Sequence, residues 1–138
     1  MLKGQYQHNI DSKGRLAIPQ KIREELGGQF VICQGLDNCL FVYSQESWEN
    51  IETRLSEFPM SARDAQRFVM SSAMEAEVDV QGRVVIPSHL REYAGLEKEI
   101  TVLGVGARAE IWDKKRCEAI LSKNTPDDIA ELMDKLGF

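Results

Sequence analysis

The feature that most constrains this chain is that it contains one stretch of itself twice. Asp11-Ser12-Lys13-Gly14-Arg15-Leu16-Ala17-Ile18-Pro19 aligns without a gap on Asp79-Val80-Gln81-Gly82-Arg83-Val84-Val85-Ile86-Pro87, at an offset of 68 residues. The correspondence continues with Ile22-Arg23-Glu24 on Leu90-Arg91-Glu92 and with Gly27 on Gly95, and about half of the positions in this stretch are identical. After a shift of two residues, Leu40-Phe41-Val42-Tyr43 meets Glu110-Ile111-Trp112-Asp113.

Each copy reads as one supersecondary unit. Tyr6 to Ile10 is expected as a strand, Asp11-Ser12-Lys13-Gly14 as a tight turn and Arg15 to Ile18 as the returning strand. Gly14 and Gly82 suit a positive φ, and Asp11 and Asp79 can hydrogen-bond the backbone ahead of them. Pro19 and Pro87 suit the start of a short helix, which Gly27 or Gly95 then ends. Two further strands follow in each copy, Gln29 to Gln34 with Cys39 to Tyr43, and Glu99 to Leu103 with Arg108 to Asp113. Gly35, Asp37 and Asn38 separate the first pair, and Gly104 and Gly106 the second. A unit of about 45 residues buries too little surface to be stable alone, whereas two units facing each other can share a core. The expected outcome is a pseudo-twofold β-barrel or sandwich in which one chain does the work of a homodimer.

Helices are expected between and after the copies. Ser44 caps a helix carrying Trp48, Ile51, Leu55 and Phe58 at helical spacing, with Pro59 as its stop. Ser61 with Asp64 has the pattern of a capping box for a second helix presenting Ala65, Phe68, Val69 and Ser72. Thr125-Pro126-Asp127-Asp128 opens a tail helix with an apolar stripe of Ile129, Leu132, Met133 and Leu136, which packs either on its own body or on a neighbouring subunit. The division expected is a first unit over 1–53, a helical connector over 54–74, a second unit over 75–123 and a C-terminal helix over 124–138.

Composition narrows the class. With 43% apolar residues in 138, a packed globular core is expected. Apolar runs such as Phe30 to Cys33 fall far short of the ~20 residues of a membrane helix, and the polar start after Met1 has no signal-peptide pattern, so a cytoplasmic protein is expected. Cys33, Cys39 and Cys117 are odd in number and lie in apolar runs, which suits buried thiols in a reducing compartment, and with His8 and His89 the only histidines no metal site is expected. The net charge of -5 argues against a nucleic-acid partner when taken globally. Its distribution does not, because residues 1–28 carry Lys3, Lys13, Arg15, Lys21 and Arg23 against Asp11, Glu24 and Glu25. The acids crowd elsewhere, at Glu46, Glu49, Glu52 and Glu57 and at Asp127, Asp128, Glu131 and Asp134, which leaves room for a basic edge on an acidic body.

The doubled Asp-x-x-Gly-Arg-x-x-Ile-Pro pattern, in two units separated by a helical pair, resembles the MraZ family, which belongs with the AbrB-like (SpoVT-AbrB) DNA-binding domains. The resemblance runs from about Gly4 to Leu121 and includes the opening Met1-Leu2-Lys3-Gly4. It implies a mainly β fold with α, built as a β-barrel of two pseudo-twofold-related AbrB-like double-ψ or swapped-hairpin units with flanking helices. It also implies a bacterial, nucleoid-associated transcriptional regulator, in the usual case a repressor. Such a protein binds tandem repeated sites on double-stranded DNA upstream of the division and cell-wall gene cluster, its own promoter included, as a ring-shaped homo-oligomer. Membrane, cofactor and small-molecule substrate have no part in that expectation. The family motif falls on Asp11, Gly14 and Arg15 and on Asp79, Gly82 and Arg83, but Lys13 is replaced by Gln81 and Ser12 by Val80, so the second turn is less basic.

A two-stranded ribbon fits the major groove, and an arginine there can donate two hydrogen bonds to guanine O6 and N7. Arg15 and Arg83 are the expected base-reading residues, with Lys13 or Gln81 beside them; Lys3, His8, Lys21 and Arg23 can add backbone contacts. Asp11, Gly14, Asp79 and Gly82 are expected to shape the turns. The competing reading has Arg15 pair with Asp11 and Arg83 with Asp79 only to stiffen each turn, and it has Arg23 and Arg91 as helix-surface charges. An enzyme is the weakest alternative: Gly104-Val105-Gly106-Ala107-Arg108 lacks phosphate-loop spacing, and His8 near Asp11 has no nucleophile with a motif around it. The other alternative is an antitoxin-like protein-binding module whose tail wraps a partner.

Overall fold

The strand that opens each copy pairs with the other copy. The structure, a computed structural model, describes residues 1–138. β1 (Leu2–Asn9) runs into the first turn, and β2 (Arg15–Ala17), α1 (Gln20–Leu26), β3 (Gln29–Gln34) and β4 (Leu40–Ser44) follow it. α2 (Gln45–Ser56), one 3-10 turn (Met60–Ala62) and α3 (Arg63–Met70) lead to the repeat of that order: β5 (Met74–Glu77), β6 (Arg83–Val85), α4 (Ser88–Ala94), β7 (Glu99–Gly106) and β8 (Ala109–Asp113). α5 (Lys114–Leu121) and α6 (Pro126–Lys135) end the chain. The protein is mainly β, with helices on its flanks.

Six strands form one antiparallel sheet in the order β1-β7-β8-β4-β3-β5, and β2 pairs with β6 as a separate two-stranded ribbon. Read from either end, the order gives equivalent strands of the two copies, and the registers agree. Tyr6 opposite Val102 has its counterpart in Met74 opposite Ile32, Leu40 opposite Ile111 in Glu110 opposite Phe41, and Arg15 opposite Val85 in Arg83 opposite Ala17. A pseudo-twofold axis therefore passes through the Leu16–Val84 pair at the centre of the ribbon. The hairpin expected within each copy is reduced, in the first, to a single bridge between Ile10 and Leu16, because β1 gives its backbone hydrogen bonds to β7 instead. Each half is thus completed by a strand of the other.

This exchange builds one core from both copies. Leu16, Ile18, Phe30, Ile32, Leu40 and Val42 pack with Val84, Ile86, Ile100, Val102, Ala109 and Ile111, closed by Ile22 and Leu26 of α1 and Leu90 and Ala94 of α4. Strand alternation sends the other side chains to the opposite face of the sheet. There α2 and α3 cover Val31 and Cys33 with Trp48, Ile51 and Val69, while Cys117 of α5 covers Cys39, Leu103 and Trp112. The three thiols are free and buried, and burial pushes that of Cys33 up to about 12. The buried Glu110 carboxylate accepts hydrogen bonds from Arg108 Nε at 2.9 Å and Trp112 Nε1 at 3.0 Å.

Three local expectations change. Ser61 and Asp64 form no capping box: the 3-10 turn, closed by the Ala62 N–H donating to Pro59 O, takes up Ser61, and α3 starts without a side-chain cap. Asp64 pairs with Arg67 at 3.2 Å instead. Gly104 and Gly106, expected between the last two strands, both lie within β7: a Cβ at Gly104 would meet the Lys3 backbone at 2.3 Å, and Gly106, with φ 88°, is the last residue of the strand, opposite Leu2. The tail helix starts where Thr125-Pro126-Asp127-Asp128 places it, with a capping box between Thr125 and Asp128, but its stripe does not pack on its own body. Ile129, Leu132, Met133 and Leu136 are 42, 54, 43 and 70% exposed.

Leu16 is fully buried on the axis, so Leu16→Ala is expected to cost about 2–5 kcal/mol. Because every sheet strand has a partner in a shared core, wild type and variant should each unfold in one cooperative transition in urea. Two separate transitions would show that the copies fold independently.

Candidate functional site

The two turns stand at opposite ends of the three-residue ribbon, held by the same set of bonds. Asp11 Oδ1 accepts from the backbone N–H groups of Lys13 and Arg15, both at 2.9 Å, and Oδ2 accepts from Arg15 Nε at 2.6 Å. Asp79 repeats this with Gln81 and Arg83 at 2.8 and 2.9 Å and with Arg83 Nε at 3.1 Å. The Gly14 and Gly82 N–H groups donate back to Asp11 O and Asp79 O, both at 2.9 Å, with φ of 79° and 75° at the glycines. The backbone N–H of Arg15 or Arg83, followed by the other donors, holds each carboxyl below the usual carboxylate range. In both turns Nε is committed, whereas Nη1 and Nη2 make no hydrogen bond within the protein.

The ribbon sets the direction of these arginines. Leu16 and Val84 point into the core, so Arg15, Ala17, Arg83 and Val85 point outward. Arg15 stands opposite Val85 and Arg83 opposite Ala17, which places the two guanidinium groups on a diagonal of one face. Their side chains are 34 and 30% exposed. The fingertips are open to a ligand.

Each turn is also braced by the other copy. Gly82 O accepts from the Ile18 N–H at 3.0 Å and Gly14 O from the Ile86 N–H at 2.7 Å. Arg23 Nε donates to Ile18 O and Arg91 Nε to Ile86 O, both at 2.9 Å. Their guanidinium groups lie against the opposite turns, where a Cβ on Gly82 would come within 2.6 Å of Arg23 Cζ and one on Gly14 within 3.2 Å of Arg91 Cζ. Arg23 and Arg91, read from sequence as helix-surface charges, are half-buried cross-braces. Their equivalence in the repeat was the available signal, and only the strand exchange explains it.

The paired turns thus gather Lys13, Arg15, Arg23, Arg83 and Arg91 around Asp11 and Asp79, a local cationic excess on a chain of net charge -5. Lys13 and Gln81 are exposed at equivalent places in the two turns. His8 and Lys3 are placed differently. His8 is half-buried beside Glu99 and Lys114 in a shallow cleft. Lys3 is exposed opposite Val105 near the far end of β1, roughly 25 Å from Asp11 at strand rise. It shares an open cleft with Lys21, Glu24 and Glu25, not with the turns.

An exchanged-strand, tandem-repeat protein that presents paired arginine turns on one face is the class these features define. The family described as "MraZ protein, putative antitoxin-like" matches the chain twice, over residues 1–71 and 69–135. The chain belongs to the MraZ family. It is 54% identical to a protein of Caldanaerobacter subterraneus subsp. tengcongensis, 51% to one of Thermoanaerobacter sp. and 48% to one of Acetivibrio thermocellus, in each case over all of both chains. All three relatives are named "Transcriptional regulator MraZ".

The lowered carboxyls of Asp11 and Asp79 make a pH-dependent contribution to stability that is present above the ordinary carboxylate range and lost as pH falls through their folded values. Thermal melts of wild type and of the Asp11→Asn, Asp79→Asn double variant should therefore differ most above the ordinary carboxylate range and converge as pH falls well below it. A gap that stays constant across that window would remove the carboxylates from the turns' stability.

Proposed function

We propose that the protein regulates transcription by binding double-stranded DNA with the outward face of the β2–β6 ribbon and its two turns. One observation carries this reading: Arg15 and Arg83 lie on one exposed face with Nε locked by an aspartate and both terminal nitrogens free. A guanidinium held this way is already oriented to donate two hydrogen bonds to guanine O6 and N7, worth about 1–3 kcal/mol of discrimination. The ion pair and the base contact are compatible, because they use different nitrogens. Lys13 supplies a flexible charge for phosphate, and Gln81 supplies neutral hydrogen bonding at the second turn. Arg23 and Arg91 hold the turns in register.

One subunit offers few contacts, so tight binding requires several subunits on tandem sites. The uncovered stripe of α6 supports self-association, for which a closed ring is the arrangement we propose. Family membership supports the division and cell-wall gene cluster, its own promoter included, as the target, repression as the usual effect, and the cytoplasmic nucleoid as the location. The same stripe also suits an antitoxin-like role in which α6 binds a partner protein; a small protein co-purifying in fixed ratio would favour that reading.

Competition gel shifts with a guanine-containing tandem duplex and a scrambled one test the DNA reading. Arg15→Ala should lose roughly 5- to 150-fold on the specific duplex and little on the scrambled one. Lys13→Ala should weaken both alike and lower the salt slope by about one. Unchanged specific affinity in Arg15→Ala would overturn the assignment. Light scattering should give a multiple of 15.6 kDa, reduced by Leu132→Asp together with the affinity for tandem but not single sites. A monomer at working concentration would remove the ring.

A further inference from the structure

The reading face is twofold in its arginines but not in what stands beside them. Arg15 has Val85 directly across the ribbon, whereas Arg83 has Ala17 at the equivalent place. Opposed residues of an antiparallel pair project to the same side with Cα atoms about 4.5–5.5 Å apart. Val85 is 56% exposed on that outward side, although a valine in a protein of this size has a core available to it. Neither the core nor a flanking helix covers it.

We infer that Val85 is a specificity residue that packs its methyl groups against the C5-methyl of a thymine next to the guanine gripped by Arg15. The inference rests on the DNA reading above and adds the identity of a second base. Base pairs rise about 3.4 Å, so a side chain displaced by one strand spacing from Arg15 meets the neighbouring pair. An apolar side chain there distinguishes thymine by its methyl group, the one apolar feature of the major-groove edges. Ala17 has a single methyl and does not reach as far from the ribbon, so the Arg83 half makes no equivalent contact. The pseudo-twofold surface therefore reads a direction along the duplex: guanine with thymine on one side, guanine alone on the other. Val80, fully exposed at the tip of the Arg83 turn where the first turn has Ser12, is the rival source of a thymine contact.

The test uses the full chain and a duplex enriched by it from a randomised library. In that duplex each guanine is replaced in turn by 7-deazaguanine, and each thymine by deoxyuridine, which removes only the methyl group. Wild type should lose about fourfold, the factor for one methyl withdrawn from contact, at one thymine next to a guanine whose replacement no longer matters in Arg15→Ala. Val85→Ala should lose the same factor on the thymine duplex and be blind to deoxyuridine, and on that duplex with a thymine placed beside the second guanine Ala17→Val should create a new deoxyuridine penalty there. Equal affinity for thymine and deoxyuridine beside an Arg15-dependent guanine overturns the role of Val85 and leaves the DNA reading intact. So does a penalty that persists in Val85→Ala or disappears in Val80→Ala. A library that yields no preferred duplex, or guanine replacements without effect, overturns both.

Discussion

Leu16 and Val84 meet across the ribbon on the pseudo-twofold axis, fully buried, and much of the molecule follows from that contact. It forces the neighbours on either side, Arg15 and Ala17 with Arg83 and Val85, to face outward, because strand side chains alternate. It also sets the two turns at opposite ends of one short ribbon. The ribbon is too short to hold itself together. Its position is secured by the exchange of β1 and β5, which commits each half of the chain to the backbone of the other and gathers one core from two units too small to be stable separately.

The turn aspartates have two effects that are hard to separate. Two backbone N–H groups and one guanidinium Nε converge on each carboxylate, so the group that shapes the turn also fixes the direction of the arginine. As a surface ion pair this contact adds little to stability, because solvent screens it. Its larger effect is orientation: the arginine loses little further side-chain freedom when it meets a ligand. The bracing of each turn by an arginine from the other copy extends this rigidity across the axis. The two turns therefore behave as one surface, even though Lys13 and Gln81, Ser12 and Val80, and Ala17 and Val85 have diverged.

Much of this was legible from residue types whose conformations are local. The aspartate and glycine spacing predicts the turns, and both glycines take a positive φ. The helix cap at Ser44 and the helix start at Thr125 form where the sequence places them. The capping pattern at Ser61 fails because a proline two residues earlier starts a competing 3-10 turn, a choice between two local signals of similar strength. The apolar stripe of α6 is plain in sequence, yet periodicity identifies a face that needs cover without saying what covers it, and here it stays open.

From sequence alone came the repeat, the chemistry of the turns, the strand-sized segments and the arginines that the turns carry. These depend on contacts within a few residues, where φ preference and hydrogen-bonding reach decide the outcome. Tertiary structure alone decided which strand each strand joins, that Arg23 and Arg91 lie across the opposite turns, that Gly104 leaves room for the Lys3 backbone, and that Val85 stands beside Arg15. Backbone hydrogen bonds are the same for any strand partner, so the pairing is chosen by how much apolar surface the whole arrangement buries. That quantity does not exist until both copies are folded together.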